Sequence, residues 1–267
     1  MKIVLIGSGN VATHLSLAFQ KADHKILQVY SEQMVKAKEL AKKLGSVTRF
    51  TSNIADIESN ADLYILAIKD ESIASFLKQF HAGDKLLAHT SGSIPISVFQ
   101  KEYGKKATCG VFYPLQTFSR SRTLDLRKVP ICIEATDKHT EKKLKKLAST
   151  ISNRVLSITS DQRKIIHIAA VFAGNFSNHM YAIAENIMQE HNLSFSLLMP
   201  LIEETAAKIQ QHSPAEMQTG PAKRGDQKII RDHLAYLSPG STYHAIYKLL
   251  SNSIVHINKT TKTKKKG

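Results

Sequence analysis

Cysteine is scarce in this chain. Cys109 and Cys132 stand alone among 267 residues, with neither the paired spacing of a metal knot nor the density of a disulfide scaffold, so a reducing, cytoplasmic setting is expected. Long apolar runs are missing too. No stretch reaches the roughly eighteen apolar residues that a spanning helix needs, and the four between Lys2 and Gly7 are too few for the core of a secretory signal. The expectation is a chain without membrane span or leader. Metal-ligand spacings are also absent: His179, His191, His212 and His233 show neither H-E-x-x-H nor paired cysteines. No metal site is expected, and there is no Ser-His-Asp nucleophile pattern and no internal repeat.

Acidic residues are few beside the basic ones. The balance of 37 Lys and Arg against 22 Asp and Glu gives a formal charge of +15, a composition that invites nucleic-acid binding through counterion release. Its distribution argues otherwise. The tail NKTTKTKKKG at 258–267 carries five lysines and no acid, as a solvated, disordered end would. Other lysines lie on helix-like stretches such as EKKLKKLAST, where they face water. An anionic small molecule is the expected partner, with no nucleic acid and no membrane.

What the chain has is 42% hydrophobic residues, enough for a sizeable core. Strand-length apolar runs recur at 2–6, 25–30, 62–68, 85–90, 109–113 and 129–135. Their near-continuous apolarity requires burial on both faces, and amphipathic segments at 32–44 and 71–80 supply the covering helices. This is a doubly wound, mostly parallel α/β domain over residues 1–157. Strand signals then cease. Residues 158–257 read as an all-helical domain, with a long helix from Asp161 to about Glu190, a capped start at SPAE (213–216) and another cap at Asp226.

The first loop, GSGNVA, follows a strand and opens a helix. Gly7 permits a tight turn, Gly9 admits close approach of a pyrophosphate, and Ala12 stands where the third glycine keeps helix and strand close. Such a loop binds a dinucleotide through Gly7, Ser8, Gly9, Asn10 and Val11, with Ala67 and Ile68 at the end of a neighbouring strand. After the second strand come Ser31, Glu32 and, one turn on, Lys36. Glu32 suits NAD, whereas Ser31 and Lys36 suit the 2′-phosphate of NADP; the balance leans to NADP, with NAD open.

The stretches DLYILAIKDESI, HTSGS, GVFYPLQTF, HIAAVFAGNFSNHMY and TGPAKRGD together resemble a bacterial group of NADP-dependent oxidoreductases, Rossmann-like proteins whose helical C-terminal domain has no assigned function. More distantly the layout is similar to pyrroline-5-carboxylate reductase, prephenate dehydrogenase and the β-hydroxyacid dehydrogenases. The resemblance implies a homodimer formed through the C-terminal helices and a substrate held between the domains against the nicotinamide. One departure stands out: relatives often carry His-Pro where this chain has Tyr113-Pro114.

Four residues are candidates for proton chemistry. His89 and Ser91 lie just past a strand's carboxyl end, where they are expected to face the crevice, although a hydrogen-bonded turn would use them as well. His167 and Asn175 share a helix face at helical spacing with Val171 and Asn178. In the β-hydroxyacid dehydrogenases a lysine and an asparagine four residues apart handle the substrate; Asn175 matches the asparagine, Val171 replaces the lysine, and His167 is the nearest substitute for acid and base work. Asn175 is expected to be buried, needing a partner. Asn178, Lys223 and Arg224 are the candidates for gripping the substrate's anionic end. SRSR at 119–122 offers another anion clamp, with a solvated loop the stronger reading. The function these residues imply is hydride transfer between a nicotinamide cofactor and a small anionic keto, imine or hydroxy compound. The alternative is a dinucleotide sensor without turnover.

Overall fold

The structure, a computed structural model, describes residues 1–104 and 107–264. It divides into two units, Met1–Ser177 and Asn178–Gly267. In the first, strands and helices alternate: β1 (Lys2–Ile6), α1 (Asn10–Lys21), β2 (Lys25–Tyr30), α2 (Met34–Leu44), β3 (Arg49–Thr51), β4 (Leu63–Leu66), α3 (Asp70–Gln79), β5 (Leu86–His89), α4 (Ser97–Tyr103) and β6 (Cys109–Pro114). Next come β7 (Ile131–Ala135), α5 (Lys138–Ser149), β8 (Val155–Ser157), α6 (Ser160–Ala170) and a π turn (Val171–Phe176).

The eight strands form one sheet in the order β3-β2-β1-β4-β5-β6-β7-β8. All neighbours are parallel except β6 and β7. The exception has a simple cause: residues 115–130 return as a loop with only a short 3-10 turn (Leu126–Lys128), and no crossover helix carries the chain back to a parallel start. The strand order reverses between β1 and β4, the switch point at which such sheets open a crevice at their carboxyl ends.

β1 shows why its apolar run has no polar alternation. Ile3 and Leu5 enter the cluster that includes Leu15 and Phe19 of α1, while Val4 and Ile6 enter the opposite cluster with Phe76 and Leu77 of α3. Both faces are covered, as the doubly wound reading requires. β3 and β8, three residues each, are too short to announce themselves by pattern.

The boundary between units falls twenty residues beyond the 157/158 division expected from composition. The cause lies in α6, which is bonded to the sheet. Thr159 caps it in a capping box with Gln162, and Arg163, 1% exposed, donates to the Glu134 carboxylate on β7 and to the Ile94 carbonyl. Ser160 adds three bonds to the same carboxylate, through N–H and hydroxyl.

The second unit contains α7 (Ser177–Glu190, its first residue in the first unit), α8 (Met199–Lys208), α9 (Pro214–Met217), α10 (Pro221–Arg224), α11 (Gln227–Tyr236) and α12 (Thr242–Lys264). Ser213 and Glu216 form the expected capping box, and Asp226 caps α11 at Ile229 N. The tail expected to be disordered from 258 keeps helical backbone to Lys264, since NKTTKTK holds no glycine or proline to stop it; residues 265–267 lie outside the described residues. Among the described residues no helix is long and apolar enough to cross a membrane.

Candidate active site

The crevice at the switch point is built by glycines with different duties. Gly7 has φ +116°, and a Cβ there would run into the Ala67 carbonyl of the adjoining strand end; its N–H donates to Tyr30 O at 2.8 Å. Only glycine lets the end of β1 sit this close to the end of β4. Gly9 is extended, with φ −76°, and a Cβ on it would meet nothing within 4 Å. Beyond it α1 starts without a side-chain cap, so its first N–H groups carry the helix's positive end with no protein acceptor of that kind. An open glycine and an uncapped helix start fit a pyrophosphate. Ala12, fully buried, packs where the fingerprint's third small residue belongs.

A cavity of about 440 Å³ follows, lined by Gly7, Ser8, Gly9, Ser31, Ala67 and Ile68, with Lys36 at its rim. Ser8 Oγ donates to Ser31 Oγ at 2.9 Å. The side chains of Asn10 and Val11 are engaged elsewhere: the Asn10 amide turns away to Phe118 O at 2.8 Å, and Val11 packs against the core. What these two can offer is backbone N–H. Arg120, from the SRSR stretch that offered an anion clamp or, as the stronger reading, a solvated loop, donates from its guanidinium to the Ser8 carbonyl and lines the same cavity.

Along the same carboxyl edge lie the ends of β5 and β6. His89, expected to face the crevice, is fully buried. It stacks on Phe99 at 5.4 Å, and its Nδ1 accepts the Ser91 N–H. Burial, then the Arg163 charge, pushes its pKa down to about 3, so it stays neutral and takes no part in solvent proton exchange. Ser91 is also structural: its Oγ accepts from Ser93 N and Ile94 N, both at 3.0 Å, closing the turn that β5 runs into.

Gly92 sits within that turn. A Cβ there would stand 2.6 Å from His167 Nδ1 and 3.0 Å from Tyr113 Cζ, so glycine makes room for both rings. Tyr113 Oη and His167 Nδ1 are 3.2 Å apart. Tyr113 is 8% exposed; burial raises its pKa, Cys132 adds to the rise and Arg163 opposes it. His167 is half-buried.

The π turn at Val171–Phe176 alters the face expected for Asn175 and Asn178. One added residue in the helix turns everything after it by about 100°, and Ser177 Oγ returns to Phe172 O, five residues back. Asn175, expected to be buried, is exposed. Asn178, Lys223 and Arg224 belong to the second unit. Asn178 is exposed on α7, and TGPAKRGD forms the single helical turn α10 between Gly220 (φ 99°) and Gly225 (φ 77°). Lys223 Nζ donates to Ala215 O at 3.4 Å. Among the described residues no group of His, Cys, Asp and Glu could hold a metal ion.

Comparison with known proteins agrees with this architecture. A family model described as "NADP oxidoreductase coenzyme F420-dependent" matches residues 2–92, and one described as a domain of unknown function (DUF2520) matches residues 129–254. A Bacteroides fragilis protein described as a "putative NADP oxidoreductase" is 42% identical with a TM-score of 0.87, over 96% of this chain and 98% of its own. The fold, though not the sequence, is shared with a 1-pyrroline-5-carboxylate reductase from Streptococcus pyogenes (13% identity, TM-score 0.65, 97% of this chain and 98% of that one). It is shared as well with an imine reductase from Myxococcus stipitatus in complex with NADP+ (14%, 0.63, 98% and 94%). No curated protein matches the chain. By its identity to the Bacteroides protein over nearly the whole of both chains, this chain belongs to the NADP oxidoreductase family.

Proposed function

We propose that the chain moves hydride between NADP and a small anionic keto, imine or hydroxy compound, and that Tyr113 and His167 handle the accompanying proton. The observation that carries this reading is the Tyr113–His167 hydrogen bond over Gly92, on the edge of the sheet where β1 and β4 open their crevice. The α1 N-terminus and the space over Gly9 suit the pyrophosphate, with Ser8 and Ser31 toward the ribose. Bound there, the nicotinamide supplies or accepts the hydride.

The protein's own share is the proton. Burial keeps Tyr113 protonated at neutral pH, so its hydroxyl is a donor ready for a substrate oxygen or nitrogen. The buried Arg163 charge favours the form left behind when that proton goes. His167, hydrogen-bonded to the same hydroxyl and partly open to water, restores it. Arg163 and Glu134 act as positioning residues, fixing α6 and with it His167. His89 and Ser91 are set aside as proton donors by their burial and turn bonding, and exposed Asn175 is assigned to the substrate's anionic end; Asn178, Lys223 and Arg224 are proposed anion-gripping groups of the second unit. We assign the chain to the cytoplasm and to a homodimer: Phe172 is 65% exposed in the first unit, and Leu197 and Leu201 are 66% and 63% exposed in the second, apolar surface that a second copy would cover.

The test is a screen of 2-keto acids and cyclic imines with NADPH. Tyr113→Phe and His167→Ala should each lower kcat by about 10²–10⁴ and leave NADPH affinity unchanged. Tight NADPH binding with no turnover across the screen would favour a sensor instead.

A further inference from the structure

A 2′-phosphate carries close to two negative charges and needs fixed cations around it. The segment after β2 supplies only part of them. Lys36 lines the cavity, but so does Glu32, whose carboxylate repels a phosphate. Lys69 Nζ lies 3.6 Å from the Glu71 carboxylate. The remaining cation on the cavity wall is Arg120.

Arg120 arrives from far along the chain, in the loop after β6, and the loop is fastened across the start of α1. Asn10 Nδ2 donates to Phe118 O at 2.8 Å, and His14 Nε2 meets Ser119 O at 2.9 Å. Held in this way, the guanidinium donates to the Ser8 carbonyl, and the Ser8 hydroxyl touches that of Ser31. Arg120 therefore stands beside the two hydroxyls at the ribose side of the crevice. Among the described residues it forms no salt bridge to a carboxylate. A carbonyl occupies one of its five N–H donors and none of its charge.

We infer that Arg120 reads the 2′-phosphate, giving up the Ser8 carbonyl for phosphate oxygens, with Ser31 and Lys36 completing the site, and so sets the preference for NADP over NAD. The inference rests on the cofactor site proposed above and names the residue that discriminates within it. Its reach is local: Arg120 outweighs Glu32, which on its own would favour an unphosphorylated ribose.

The experiment is equilibrium titration of the full chain with NADPH, NADH, adenosine 2′,5′-bisphosphate and 5′-AMP, for wild type, Arg120→Ala, Arg120→Lys and Glu32→Gln, with thermal unfolding to confirm that each variant folds. Arg120→Ala should weaken NADPH and the bisphosphate by about 10- to 100-fold, with NADH and 5′-AMP little changed. Arg120→Lys should recover part of the loss, and Glu32→Gln should strengthen NADPH. Equal weakening of NADPH and NADH would reassign Arg120 to the pyrophosphate, and unchanged affinities would reduce it to a loop fastener; either result overturns the inference. A wild-type chain that ignores all four compounds would overturn the cofactor reading itself, a failure distinct from that of Arg120.

Discussion

The two units use their apolar residues in opposite ways. In the first, both faces of the sheet are sealed, and the core side chains from Ile3 to Ile151 are almost wholly enclosed. In the second, Ala222 and Ile230 are the buried apolar residues among those described, while Leu193, Leu197, Leu201 and Leu249 are half exposed or more. A sheet domain of this kind satisfies itself. The helices are written with the same helical periodicity yet enclose almost nothing, which means that their apolar stripes are addressed to another surface, in our proposal that of a second copy.

The largest effect expected on the self-sufficient side is that of Gly7→Ala. The new methyl meets the Ala67 carbonyl in a strand end anchored by Ala67 N–H to Ile6 O at 2.7 Å, and φ is positive. A loss of about 3–5 kcal/mol is expected, read as a shifted urea midpoint. On the other side, Leu197→Glu with Leu201→Glu, at positions 66% and 63% exposed, sharpens the contrast. Exposed on a lone subunit, the two substitutions would cost about 0.5 kcal/mol or less each. At a subunit interface they should split the dimer, as seen in sedimentation velocity, and abolish the fall of melting temperature with dilution that the wild type shows.

His89 provides a pH-dependent effect. Its folded pKa lies at about 3, below the unfolded value near 6.5, so its contribution is complete above about pH 6.5 and is lost as the pH falls from there toward 3. In that window the unfolded chain binds a proton that the native one refuses, and stability should drop by about 1.4 kcal/mol per pH unit. His89→Phe should flatten the profile in acid denaturation curves. Smallest is Ser91→Ala, which removes the acceptor of two turn N–H groups and should cost about 1 kcal/mol. Its kcat should hold, because the hydroxyl closes a turn and does not touch the substrate.

Much of the sheet unit was legible because apolar runs, glycine spacing and caps are local. GSGNVA identified the crevice, and Ser213 with Glu216 marked a helix start. The misses have physical causes. His89 was placed by its position at a strand end, but strand residues alternate between faces, and no pattern told which face Phe99 would cover. The π turn has no residue signature, so Asn175 was carried to a buried face that the added residue rotates outward. Arg120 read first as part of a solvated loop, with an anion clamp as the alternative, because its partner, Ser8, lies 112 positions away. The Tyr113–His167 pair depended on Gly92, a third segment whose role is to be small, and smallness is visible only once the rings beside it are in place.

The central claim is that the hollow over Gly9 at the start of α1 exists for a ligand and not for the fold. Fluorescence titration with NADPH of wild type beside Gly9→Val tests it most directly, because a Cβ there meets no protein atom within 4 Å. The expected result is saturable binding by the wild type, severe loss in Gly9→Val and closely similar melting temperatures. Equal NADPH affinity in the two proteins would contradict it.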